Sequence, residues 1–116
     1  SPLVRLTVAL LLLVGCGNEG TLIVQVRTDL SPGVDFAAVR VEASGAATTR
    51  DARTDASSSL DWGAGVRVAE FAELPTGEYR LRVSALDLID AEVLSRPVRV
   101  ELNEGTRAYP LARFCR

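Results

Sequence analysis

Alternation of apolar and polar residues is the feature that most limits what this chain can fold into. Between Tyr79 and Ala85 every second residue is apolar, and the residues between them are Arg80, Arg82 and Ser84. Side chains of a β-strand point alternately to its two faces, so this pattern predicts a strand with one face in a core and the other, with Arg80, Arg82 and Ser84, outward in water. No stretch of the chain follows the 3.6-residue repeat of an amphipathic helix. The sequence therefore predicts an all-β fold.

Turn-forming residues divide the alternating pattern into about seven strands, which favours a two-sheet Greek-key sandwich. The loop Asn103-Glu104-Gly105 predicts a hairpin between the last two strands, and a phase change near Ala69 and Glu70 predicts a bulge. Pro97 and Pro110 restrict their strands to sheet edges or ends. The predicted strands are 21–28, 36–43, 66–72, 78–86, 93–102 and 106–113, with at most a short strand near 47–51, and a loop or short helical turn at 87–92.

The first 15 residues have the pattern of a targeting segment. Arg5 precedes an apolar run from Leu6 to Val14 that ends in a small residue, as in the n-region and h-region of an export signal. The run is too short to span a bilayer, which needs ~20 apolar residues. An ordinary apolar core segment and a secretory signal cleaved without lipidation are the alternatives.

The tetrapeptide Leu13-Val14-Gly15-Cys16 resembles the lipobox of bacterial lipoproteins. The resemblance implies cleavage between Gly15 and Cys16, acylation of Cys16 and anchoring to membrane lipid in the cell envelope. Gly17, where some lipoproteins carry Asp, favours the outer membrane over the inner. The implied organisation is a signal peptide over 1–15, the lipidated Cys16 with a tether over 16–20, and a β-sandwich over 21–116.

A second resemblance is carried by the segment Phe71-Ala-Glu-Leu-Pro-Thr-Gly-Glu-Tyr-Arg-Leu-Arg-Val83. The segment has an aromatic residue, then Leu-Pro-x-Gly, then a strand that starts with an aromatic residue. This order is similar to the pattern of the transthyretin-like, or carboxypeptidase-regulatory-like, branch of the immunoglobulin-like sandwiches. In those domains a strand enters a Pro-Gly turn and leaves as a central strand, and Gly77 would take a positive φ. Together with Thr28-Asp-Leu-Ser-Pro-Gly33, the lipobox also makes the chain similar to envelope lipoproteins of myxobacteria. Such sandwiches serve as structural or interaction modules, so the resemblance implies an envelope protein partner.

Composition excludes several function classes. The chain has 13 Lys and Arg against 15 Asp and Glu, a net charge of −2, and no histidine. The absence of a basic surplus argues against nucleic-acid binding. Without histidine, Ser-His and Cys-His catalysis and His-ligated metal sites are excluded. We therefore predict no catalytic residue, no metal and no cofactor, and a protein that is not an enzyme.

Loop acids and one tryptophan are the remaining candidates for a binding site. The pairs Asp29 with Asp35 and Asp87 with Asp90 lack the alternate-residue spacing of a calcium loop, so we expect them to form turns. Trp62, next to Asp61, could be an exposed platform for a glycan, small ligand or partner, or it could cap the end of the core. The alternative to an interaction module is therefore a glycan- or small-ligand-binding lipoprotein that uses Trp62 and nearby loop acids.

The chain has two cysteines, and the lipobox interpretation assigns a role to Cys16 but none to Cys115. In an oxidising compartment an unpaired cysteine is either a free or inter-chain thiol, or half of a disulfide. The second alternative predicts that the natural chain continues past residue 116 and supplies the partner cysteine.

Overall fold

A computed structural model describes residues 19–45 and 48–115. Eight strands form two sheets, and these residues contain no helix, which confirms the all-β prediction. No helix in this part of the chain is long and apolar enough to cross a membrane. The strands are β1 (Glu19–Thr28), β2 (Ala38–Ser44), β3 (Thr49–Asp55), β4 (Val66–Pro75), β5 (Gly77–Leu86), β6 (Glu92–Leu102), β7 (Arg107–Ala108) and β8 (Leu111–Phe114).

The first sheet is centred on β1. β4 pairs with one side of β1 in antiparallel orientation, whereas β7 and β8 both pair with its other side in parallel orientation. The predicted bulge is confirmed, because Val24 lies opposite Ala69 while Gln25 lies opposite Arg67, which leaves Val68 as the extra residue. The bulge explains how Val68 and Ala69 can both be buried although they are neighbours in a strand.

The second sheet has the order β3-β2-β5-β6, and every pairing in it is antiparallel. The alternating residues of β5 pack inward as predicted, from Tyr79 to Ala85. Pro97 lies in β6, which is an edge strand of this sheet, as the missing N–H of proline predicts. Ser84 does not follow the prediction, because it is 4% exposed although it points to the outer face.

The core lies between the two sheets, and it combines aliphatic side chains with the aromatic rings of Phe36, Trp62, Phe71, Tyr79 and Phe114. Its fully buried members come from both layers. They include Leu22, Val24, Val26, Val39, Val41, Leu74, Val83, Leu102 and Phe114. The β4–β5 connection is one residue long and carries the chain from one sheet to the other, and Gly77 after it has φ 138°, as the Pro-Gly turn predicts. Gly105, in the turn after β6, also has a positive φ, of 68°.

Strand directions give the sandwich two distinct poles. β1 starts at the proximal pole, where Glu19 lies opposite Pro75, and its ten residues cover about 33 Å at ~3.3 Å per residue. At the distal pole lie the end of β1, the β1–β2, β3–β4 and β5–β6 loops, and Cys115 after β8. The described chain thus enters at one pole and leaves at the other.

Three sequence-based expectations about the strands are wrong. β6 and the final strands do not form a hairpin, because Asn103–Thr106 passes the chain from the second sheet to the first, where β7 and β8 lie parallel to β1. The single strand expected at 106–113 is two strands separated by Tyr109 and Pro110. β3 covers seven residues and lies later than the short strand expected near 47–51.

Candidate functional site

The predicted lipidation and cleavage residues, Gly15 and Cys16, lie outside the described residues. β1 begins at Glu19, so two residues that the sequence assigns to the tether already pair with β4. Only two residues, Gly17 and Asn18, then separate Cys16 from the sandwich. If Cys16 is the anchor, the proximal pole is the pole nearest to the lipid.

Trp62 lies in the β3–β4 loop and packs over the distal end of the core. Its side chain is 3% exposed, and its ring meets that of Phe36 edge to face with centroids 5.2 Å apart. The indole Nε1–H donates a hydrogen bond to the carbonyl oxygen of Ser57 at 2.9 Å. These contacts are those of a residue that caps the core. They give no support to an exposed platform for stacking on a sugar.

Asp61 and the other loop acids shape the backbone of the distal loops. Asp61 accepts a hydrogen bond from the Ala64 amide at 3.1 Å through Oδ1. Oδ1 of Asp87 accepts hydrogen bonds from the amides of Ile89 and Ala91, at 3.0 and 2.9 Å. Among the described residues no group of three or more His, Cys, Asp or Glu side chains is arranged to hold a metal ion.

Cys115 is exposed at the distal pole and forms no disulfide within residues 19–45 and 48–115. It lines a shallow depression together with Arg27, Thr28 and Gly63. The strand before it is tied to β1, because Oγ1 of the buried Thr28 donates a hydrogen bond to the carbonyl oxygen of Phe114 at 2.9 Å. The two interpretations of Cys115, a free or inter-chain thiol and half of a disulfide, stay predictions.

The most exposed large apolar side chains of the described residues lie on two loops of the distal pole. Val34, in the β1–β2 loop, is 85% exposed, and Leu88 and Ile89, in the β5–β6 loop, are 90% and 84% exposed. Residues 33–37 and 87–89 together line a cavity of about 320 Å³. We call these eight residues the distal surface. Exposed apolar patches of this kind are typical of interaction sites.

Hydrogen bonds hold both loops of the distal surface in defined conformations. In the β1–β2 loop the amides of Val34 and Asp35 donate to the carbonyl oxygen of Ser31, at 3.1 and 2.8 Å. Oδ2 of Asp35 in turn accepts from the Ser31 amide at 2.7 Å. The amide of Ala37 donates to the carbonyl oxygen of Leu86 at 2.6 Å and joins the loop to the end of β5. The apolar side chains therefore project from loops that are already ordered.

Charged groups beside the distal surface are largely paired. Arg53 in β3 contacts Asp90 at 3.0 Å and Asp55 at 2.7 Å, and the hydrogen bond that it donates to Asp90 raises the pKa of the Arg53 guanidinium. Further along the outer face of the second sheet, Arg82 contacts Glu92 at 2.6 Å. The hydrogen bond from Arg82 lowers the pKa of the Glu92 carboxyl. Both ion pairs are exposed to solvent, so they contribute little to stability.

Sequence reasoning did not identify the distal surface, although a signal was present. Leu88 and Ile89 stand between two aspartates, and Val34 follows Pro32-Gly33. Turn residues of these types fix the backbone at a loop tip, where polar side chains are usual. Large apolar residues at such tips cannot reach the core, and so they mark a candidate interaction site.

Comparisons with known proteins identify no family for this chain. No protein-family profile and no curated protein matches it. A leucine-rich repeat protein from Bacteroides thetaiotaomicron VPI-5482 aligns with a TM-score of 0.46 and 13% sequence identity, over 83% of this chain and 12% of that one. The chain thus spans about an eighth of the length of that protein. A similarity at this level carries no conclusion about function.

Proposed function

We propose that this protein is a lipoprotein of the bacterial cell envelope, anchored through Cys16, whose β-sandwich is a non-catalytic interaction module. We further propose that the sandwich is of the transthyretin-like, immunoglobulin-related type. The Leu-Pro-x-Gly turn supports this type, because it joins β4 to the central strand β5 in a single step between the sheets.

The observation that carries the proposal is the separation of the two poles. β1 begins three residues after Cys16 and runs away from it, so an anchor at Cys16 places the proximal pole at the lipid. The distal surface then lies about 33 Å further out, at ~3.3 Å per residue of β1. A module of this geometry presents ordered apolar loops to other molecules of the envelope.

The loop chemistry supports a binding role over a catalytic one. Asp35 and Asp87 form hydrogen bonds with backbone amides of their own loops, which is the function of turn-forming aspartates. Paired carboxylates that act as acid and base need a cleft in which both approach one substrate bond. The loop acids of the distal pole are instead distributed around apolar side chains.

Metabolic labelling with radioactive palmitate tests the anchor. We expect the full chain, expressed in a bacterium with two membranes, to incorporate label and to partition into the detergent phase of a Triton X-114 extract. Cys16→Ala should lose both properties, because the acyl chains are attached through this thiol. Cys115→Ala is the matched control, since it removes the chain's other cysteine, and it should retain both. A Cys16→Ala variant that stays wholly in the detergent phase would rule out anchoring through Cys16.

A further inference from the structure

Strand β6 forms a free edge of the second sheet, because it pairs with β5 on one side and with no described strand on the other. It has 11 residues, which makes it the longest edge strand of the described chain. A free edge carries unpaired N–H and C=O groups, and these can pair with a strand of another molecule. The sandwich would therefore add a second copy of itself at β6 unless this edge is blocked.

Arg96 interrupts the apolar stripe with which β6 covers the core. Leu94, Val98 and Val100 pack against the core, and each alternates with a residue of the outward face. Arg96 belongs to the same inward-facing series, since it lies opposite the fully buried Val83 of β5. An aliphatic side chain would continue the stripe at this position, whereas arginine places a charge in it.

The guanidinium of Arg96 has no carboxylate partner among residues 19–45 and 48–115. Its Nη1 donates a hydrogen bond to the carbonyl oxygen of Ser95 at 3.0 Å, so the charged group turns back to its own strand. The residue is only partly buried, and its charge keeps contact with water beside the free edge. A strand added to this edge would close that route to water and leave an unpaired ion among aliphatic side chains, which is unfavourable.

Two further features of β6 act against pairing at the same edge. Pro97, at the middle of the strand, has no N–H to offer to a ladder, and proline in an edge strand hinders strand addition. The register shift between Ala85 and Leu86 leaves Val93 as an extra residue, which bends the edge near its distal end. An inward-pointing charge, a proline and a bulge are the features by which natural sheets keep an edge from pairing.

The other free edges of the sandwich are shorter or blocked in a different way. β4 also carries a bulge, and the carbonyl oxygen of its extra residue, Val68, accepts a hydrogen bond from Oγ1 of Thr54 at 2.7 Å. β7 and β8 have two and four residues. β3 has seven residues, four of which are charged. β6 is thus the edge on which the longest ladder could form, and it combines three obstacles.

We propose that Arg96 and Pro97 keep the β6 edge closed to a second copy of this chain, so that the sandwich remains a monomer. A second copy is the molecule to be excluded, because every copy presents the same 11-residue edge and two such edges can meet about a two-fold axis. Contacts with other molecules are then left to the loops and faces of the sandwich. The inference goes beyond the proposed interaction module, and it holds whether or not Cys16 carries lipid.

Sedimentation velocity of the full chain in detergent micelles, with a reducing agent that keeps Cys115 as a thiol, tests the proposal. We expect the double variant Arg96→Val/Pro97→Val to associate at concentrations at least about tenfold below the highest at which the unaltered chain is still a monomer. The two valines continue the apolar stripe and restore a backbone N–H. Arg99→Val is the matched control, because Arg99 lies on the outward face of the same strand and its replacement removes the same charge. This control should sediment as the unaltered chain does.

Two further measurements separate protection of the edge from a role in holding the fold together. Hydrogen exchange read by mass spectrometry should show new protection of the amides of residues 92–102 in the associated double variant, because an added strand pairs with them. Thermal unfolding of monomeric Arg96→Val should give a midpoint at least as high as that of the unaltered chain, because the change removes a partly buried ion without a carboxylate partner.

Five results would each overturn the proposal. They are a double variant that stays monomeric, equal association of Arg99→Val, association without new protection in β6, a lower midpoint for Arg96→Val, and pairing of the unaltered chain through β6.

Discussion

Truncation of Trp62 tests whether this residue caps the core, and its cost can be worked out from the contacts. A buried tryptophan removes ~150–250 Å² from water, which at ~25 cal/mol per Å² is about 4–6 kcal/mol as an upper limit. An alanine at this position still buries part of that area, so we expect Trp62→Ala to lower the free energy of unfolding by about 3–5 kcal/mol. That is a large share of the ~5–15 kcal/mol of a typical domain.

Urea unfolding followed by far-ultraviolet circular dichroism measures this loss, since Trp62 is the chain's single tryptophan and its fluorescence vanishes with the substitution. Trp62→Phe keeps an aromatic ring near Phe36 but loses the hydrogen bond to the Ser57 carbonyl, so we expect an intermediate loss of about 1–2 kcal/mol. Tyr109→Ala is the control, because Tyr109 is 55% exposed, and it should cost less than about 1 kcal/mol. The reasoning is refuted if Trp62→Ala costs no more than this control.

Two smaller predictions concern the stability of the fold at acid pH and the limited space beside Gly45. Because Arg82 lowers the pKa of Glu92 in the folded state, their ion pair stabilises the fold at pH values above the pKa that Glu92 has in the unfolded chain. This stabilisation is lost as the pH falls through the lower pKa that Glu92 has in the folded state. Glu92→Gln should lower the thermal midpoint slightly at pH 7, and the difference should vanish in acid; a difference that persists below the folded pKa contradicts this. A Cβ at Gly45 would lie 2.5 Å from the buried Tyr79 ring, so Gly45→Ala should cost about 1–3 kcal/mol in urea unfolding. Gly63→Ala, whose Cβ would meet nothing closer than 3.6 Å, is its control, and equal costs for the two would exclude the clash.

The strands of the core were predictable because local pattern and burial agree there. In β5 the alternation places Leu81 and Val83 in the core, and each core position along the strand is buried. The bulge was predictable for the same reason, since two apolar residues can follow each other toward one face only where a strand carries an extra residue. Local chemistry also gave the positive φ of Gly77.

Sheet membership was not predictable, because it depends on contacts between distant parts of the chain. The turn at Asn103–Thr106 has the composition of a hairpin loop, and Gly105 does take a positive φ. The strands that follow nevertheless pair with β1, about 85 residues earlier in the chain, because the edge of β1 opposite β4 is available to them. The length of β3 was underestimated because its segment, Thr49–Asp55, is nearly all polar and shows no apolar alternation. The strand forms through its backbone pairing with β2, which its side chains do not indicate.

The candidate site was only partly predictable. Trp62 was identified as either an exposed platform or a cap, and its ring contact with Phe36 depends on how the β1–β2 and β3–β4 loops meet. The distal surface could not be found by strand pattern, because its apolar residues lie in turns. The turn residues around Leu88 and Ile89 were a signal in the sequence, but only the assembled pole shows how far the two side chains are exposed.

The parallel pairing of β1 with β8 has a mechanical consequence. The two strands lie side by side from Gln25 to Thr28 and from Leu111 to Phe114, and the described chain enters and leaves at opposite poles. Tension applied between those poles pulls β1 and β8 past each other along their length, so the evenly spaced bonds of the pair are loaded together in shear. Bonds that share a load rupture as a group, whereas a hairpin pulled from its open end unzips one bond at a time. The sandwich is therefore built to hold its shape when the two ends of the described chain, Glu19 and Cys115, are drawn apart.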